Sequence, residues 1–78
     1  RDAYLGRGGT YIQINKHESA IKDFDKAIEL NAKDAETWYL RALSKHALAD
    51  KTGGCSDMKK AIELGDKNAK REIGKLCR

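Results

Sequence analysis

The chain has 78 residues, 36% of them charged and 40% hydrophobic, with no proline and a formal net charge of +4. That length allows one small domain near the lower limit of independent stability and excludes a deep active-site cleft over a separate core. No apolar run approaches the ~20 residues that span a bilayer, so no membrane insertion is expected.

Five helices are predicted, at about 2–14, 18–30, 35–48, 53–64 and 69–77, from apolar residues recurring at helical spacing. The first holds "GRGGTY" at 6–11, which resembles a phosphate-cradling loop only superficially. Such a loop follows a strand and opens a helix, whereas these glycines fall inside a helical register set by Tyr4, Tyr11 and Ile14. The second helix aligns Ala20, Ile21, Phe24, Ala27 and Ile28 on one face, and the third aligns Trp38, Ala42 and Leu43. Cys55, Met58, Ala61 and Ile62 form the stripe of the fourth, and Ala69, Ile73, Leu76 and Cys77 that of the fifth. Polar breaks at 15–18, 31–34, 50–54 and 65–68 separate them. Asp34 and Asn68 suit N-caps, and Gly65 suits the left-handed residue that ends a helix.

The chain repeats itself. "DFDKAIEL" at 23–30 returns as "DMKKAIEL" at 57–64, identical at six of eight positions and offset by 34 residues. The same offset relates Tyr4 to Trp38, Gly8 to Ala42, Ile14 to Leu48 and Asp34 to Asn68. The sequence therefore divides into a first unit at 1–34, a second at 35–68 and a terminal helix at 69–78.

In this period and in its residues the chain resembles the tetratricopeptide repeat family, a helix–turn–helix of 34 residues. Tyr4, Gly8 and Tyr11 match the family's aromatic, small and tyrosine positions in the first helix of a unit, and Ala20, Phe24 and Ala27 match its second-helix pattern. The second unit keeps Trp38, Ala42 and Ala61 but has Lys45, Gly54 and Met58 at three of the other positions. Ala32 and Asp66 replace the customary proline. The Ala-Ile-Glu-Leu ends resemble bacterial members.

The resemblance implies an all-α superhelical solenoid of about five antiparallel helices acting as a protein–protein interaction module, with 69–78 as its capping helix. Its first helices would line a concave groove for a peptide or partner helix. By position the lining is Asp2, Leu5, Gly9, Ile12 and Gln13 from the first helix and Glu36, Tyr39, Leu43 and His46 from the third. Some relatives clamp an acidic chaperone tail with Lys, Asn and Arg. Leu5, Gly9 and Leu40 stand where three of those residues would be, so no such clamp is expected. Two units and a cap fall short of the three repeats that stability usually needs. The opening at Arg1 without a methionine and this shortfall suggest further repeats in a longer protein, or self-association. A structural self-assembling repeat and a regulatory appendage of a larger enzyme or envelope protein are the alternatives to a scaffold.

No catalytic role and no cofactor is expected. Ser19, Ser44 and Ser56 have no positioned histidine, and the carboxylates read as solvated because the charges alternate along "KDFDKAIE" and "DMKKAIELGDK". His17, His46, Cys55 and Cys77 lack the close ligand pair of a metal motif, so no metal is expected. Basic residues gather only near the C-terminus, without the one-sided stripe of a nucleic-acid binder. Cys55 and Cys77 lie on the apolar faces of neighbouring helices. Either they are two buried thiols, as in a cytoplasmic protein, or they form a disulfide tying the terminal helix down, as in a periplasmic or extracellular one.

Overall fold

The structure is a computed structural model and describes residues 3–77. Asp2, named above for the groove, lies outside the described residues. Five α-helices follow one another: α1 (Ala3–Gln13), α2 (His17–Leu30), α3 (Ala35–Ala47), α4 (Lys51–Glu63) and α5 (Lys67–Leu76), with no strand among the described residues. The protein is an all-α helical repeat. Every helix lies within two residues of its predicted bounds.

Each helix packs on its predecessor. The odd-numbered helices α1, α3 and α5 also touch one another in turn, whereas α2 and α4 make no mutual contact. The layer of odd helices is thus the tighter one, and the stack curves with that layer on its inner side.

Two apolar clusters hold the stack. Leu5, Ala20, Phe24 and Ala27 form the first, flanked by Tyr11, Ile12 and Leu40. Ala42, Met58, Ala61 and Ala69 form the second, flanked by Trp38, Tyr39, Leu43, Ile73 and Leu76 among others. Small residues in these clusters mark where helices approach closely, and Phe24 and Met58 fill the space between them. Leu40 of α3 belongs to the flank of the first cluster, so α3 contributes to both.

Helix ends repeat as well. α1, α3 and α4 each close with a left-handed residue: Asn15 (φ 61°), Ala49 (φ 67°) and Gly65 (φ 100°). The next N–H reaches back five residues in all three, from Lys16 to Tyr11 O, Asp50 to Lys45 O and Asp66 to Ala61 O. This is the double hydrogen bond of a Schellman stop. N-capping departs from the expectation. Asp34 precedes α3 without accepting a capping hydrogen bond. Asn68 lies inside α5, where its side chain accepts from Arg71 instead. Asp66 caps that helix by accepting from Ala69 N at 2.9 Å, and Asp50 caps α4 by accepting from Gly53 N at 2.9 Å. An aspartate two residues earlier wins because it starts the helix sooner and places a full negative charge at the positive end of the helix dipole.

The neighbouring glycines of "GRGGTY" are not equivalent. A Cβ at Gly8 would come within 2.5 Å of Phe24 Cε1 and 2.9 Å of Cδ1, whereas one at Gly9 meets nothing within 4 Å. Gly8→Ala should therefore lose about 1–2 kcal/mol, overpacking outweighing the gain in helix propensity. Gly9→Ala should gain about 1 kcal/mol. Thermal melts of the two variants check the opposite signs; equal shifts would show that Phe24 yields freely.

Candidate functional site

The inner layer carries a cleft between α1 and α3. Leu5, Gly9, Ile12 and Gln13 line it from α1, joined by Glu36 and Leu40 from α3. The helical register explains this: residues 5, 9, 12 and 13 share one face of α1 at spacings of four, three and one. The floor is apolar at Leu5, Ile12 and Leu40, and Gly9 leaves the middle open. Gln13 and Glu36 add exposed polar groups.

The remaining three residues named from the sequence stand elsewhere. Tyr39 and Leu43 are partly buried in the second cluster, together with Ile73 and Leu76 of α5. His46, in the last turn of α3, places Nε2 at 3.9 Å from Cys55 Sγ and 4.0 Å from Cys77 Sγ. The fifth helix occupies the inner layer beyond α3, so the part of the face that α3 would present there is covered. Burial raises the Tyr39 phenol above its ordinary value of 10, and the negative charge of Glu72 on α5 adds to the effect. Folding thus favours the protonated phenol. The resulting stability is complete below pH 10 and declines as pH rises from 10 through the higher folded value. Ultraviolet titration should show a phenol ionising above 10 that disappears in Tyr39→Phe. A wild-type titration curve lacking that component would place Tyr39 in solvent.

Cys55 in α4 and Cys77, just past α5, are joined by a disulfide, their Cα atoms 5.5 Å apart. It ties α5 to α4 at the end opposite the capped start of the helix.

One set of residues was not anticipated. Asp23 and Asp57, read from local charge alternation as solvated, are buried at 4% exposure each. Arg7 Nε and Nη2 donate to the two carboxylate oxygens of Asp23, both at 2.8 Å. Thirty-four residues later Arg41 repeats the arrangement on Asp57, with Nε at 2.8 Å and Nη2 at 2.9 Å. The second pair is more enclosed. Lys45 Nζ lies 3.0 Å from Asp57 Oδ2, and Arg41 Nη1 donates to Asp25 on α2 at 2.8 Å. Arg41 therefore bridges α2, α3 and α4, with its guanidinium 4.9 Å from the Trp38 ring centroid. Its pKa is raised, first by the hydrogen bonds to Asp57 and then by Asp25, against the opposing effect of burial. Arg7 is raised in the same way by Asp23. The clue in the sequence was the shared 34-residue offset of Arg7 with Arg41 and Asp23 with Asp57. These pairs support the stack and present nothing reactive.

No curated protein matches the chain significantly. Residues 2–34 match the family model of the tetratricopeptide repeat. That match covers the first helix pair, and the same bidentate pair, helix stop and core positions recur at 34 residues in the second, so the five helices fit a tetratricopeptide repeat protein.

Proposed function

We propose that the cleft between α1 and α3 receives an extended peptide or a helix that presents apolar side chains. The family is in general a protein–protein interaction module on a non-catalytic scaffold. The observation that carries the finer reading is the lining itself: Leu5, Ile12 and Leu40 around the open space at Gly9. An apolar floor with polar groups at its rim is the composition of a docking site whose central contacts supply the affinity. Leu5, Gly9 and Leu40 offer no cation or amide to a carboxylate terminus, which favours an apolar segment over an acidic tail. Units at 1–34 and 35–68 with a capping helix at 69–78 suit this role, since the cap closes the apolar end of the stack and leaves the cleft open.

A random dodecapeptide phage library selected against the protein tests the reading. Enriched peptides should carry apolar residues, and Gly9→Trp should weaken them by about tenfold or more, a loss of ~1.4 kcal/mol. Because a side chain at Gly9 points into open space, the variant's melting temperature should not fall. Peptides that bind Gly9→Trp as tightly as the wild type would place the docking surface elsewhere.

A further inference from the structure

We propose that His46, Cys55 and Cys77 form a redox-gated zinc site, in which the disulfide excludes metal and its reduction creates a two-thiolate, one-imidazole centre. The three donor atoms lie within 4.8 Å of one another, although the residues come from α3, α4 and the end of α5. Tetrahedral zinc, with bonds of about 2.3 Å to sulfur and 2.0–2.1 Å to nitrogen, sets its sulfur and nitrogen ligands about 3.5 Å apart. His46 Nε2 already stands at 3.9 Å and 4.0 Å from the two sulfurs. Once the sulfur–sulfur bond is cleaved, the sulfurs need only side-chain rotation to reach their own separation of about 3.8 Å.

A second observation is independent of those distances. In the 34-residue register, His46, Gly54 and Cys55 replace Ile12, Ala20 and Ile21. The three departures belong together in space. A Cβ at Gly54 would come 2.6 Å from His46 Cδ2 and 2.8 Å from its Nε2. Gly54 has therefore given up the alanine of the first unit at the point where the imidazole approaches the sulfurs.

The charges balance. Zinc with two thiolates and a neutral imidazole carries no net charge, which removes the main penalty for enclosing an ion in a partly buried place. A cleft bounded by Trp38, Lys51, Lys59 and Glu63 opens on both cysteines, so the fourth position is left for a solvent ligand. The lysines there face a neutral centre once metal is bound.

The redox step needs a dithiol reductant. Its thiolate attacks one sulfur of the Cys55–Cys77 bond, and its second thiol closes to a disulfide. Two electrons and two protons pass to the protein, leaving two thiols. Zinc then displaces both thiol protons to solvent while His46 Nε2 donates its lone pair. The metal replaces the disulfide as the link that holds α5 to α4.

The experiment is a cobalt titration of the whole chain, after reduction by a water-soluble phosphine, which leaves as its oxide, and anaerobic removal of the excess. One equivalent of cobalt should bring thiolate-to-metal charge-transfer bands and the visible bands of a tetrahedral ion, both abolished by zinc. The oxidised protein should show neither. His46→Ala should weaken binding about tenfold or more. Should that variant lose its helical circular dichroism, the cadmium-113 shift of the wild type decides: a resonance typical of two sulfurs and one nitrogen supports the site, and one typical of sulfur alone overturns it. Absence of charge-transfer bands in the reduced wild type also overturns it.

Discussion

Asp57→Ala should cost about 3 kcal/mol, because it takes the shared carboxylate from two partly enclosed cations, leaving Arg41 with Asp25 alone and Lys45 without Asp57. Asp57 is almost completely enclosed, and Arg41 and Lys45 are only 16% and 22% exposed in their side chains. Breaking a buried pair from one side typically costs 3–5 kcal/mol, and the residual exposure of the cations puts the expectation at the lower end. For a domain of this size, whose whole stability is of order 5–10 kcal/mol, that is a large fraction. Asp23→Ala removes the equivalent carboxylate, but Arg7 is 59% exposed and is rehydrated once its partner is gone. The predicted order is therefore a larger loss at Asp57 than at Asp23. Asp57→Asn should fall between the wild type and Asp57→Ala, since the amide oxygen still accepts from the guanidinium. Combining Asp57→Ala with Arg41→Met should recover part of the loss, because one of the two cations that Asp57 neutralised is then gone. Chemical denaturation of these variants measures the set. Equal losses at Asp23 and Asp57 would mean that enclosure contributes little and that α2, α3 and α4 are held by apolar contact alone.

Replacing Cys55 and Cys77 together by serine should cost about 3 kcal/mol. The disulfide closes a loop across a sequence separation of 22, and loop-closure entropy for that length gives this magnitude. The loss should be local before it is global. α5 buries only Ala69 completely, with Ile73 and Leu76 partly covered, so its apolar contact is small beside that between α3 and α4. Without the covalent tie, the amides of 67–76 should exchange faster than those of α1–α4, as expected of the least stable cooperative unit. Tyr39 would then lose the cover that raises its phenol, and the alkaline component of its titration should shrink with it. If wild type and double serine variant melt together and α5 exchanges no faster, packing alone holds the last helix.

These two results turn on features of different legibility. The helices, their bounds to within two residues and the core identities of Gly8, Ala20, Phe24, Ala27, Ala42, Met58 and Ala61 were all readable in the sequence. Helical periodicity and the 34-residue repeat are properties of residues close in the chain, and a repeat states twice which positions must be small and which large. The bidentate pairs escaped for the opposite reason. Arg7 and Asp23, like Arg41 and Asp57, are 16 residues apart, beyond the three- and four-residue spacings through which charge patterning is read along one helix.

The site divides along the same line. Leu5, Gly9, Ile12 and Gln13 could be placed together from one helix's register, because a single helix fixes which of its residues share a face. Where Tyr39, Leu43 and His46 stand depended on α5, a separate segment that folds back over the inner side of α3. Likewise Asn68 and Asp66 are both competent caps by composition, and only the geometry of the α4–α5 turn chose between them. The sequence by itself determined the elements, the repeat and the residues that must be inside. Tertiary structure alone decided which distant side chains meet: two buried aspartates with their arginines, and one histidine with two cysteines. Local periodicity fixes the face a residue occupies, but contact across helices depends on how those faces are stacked.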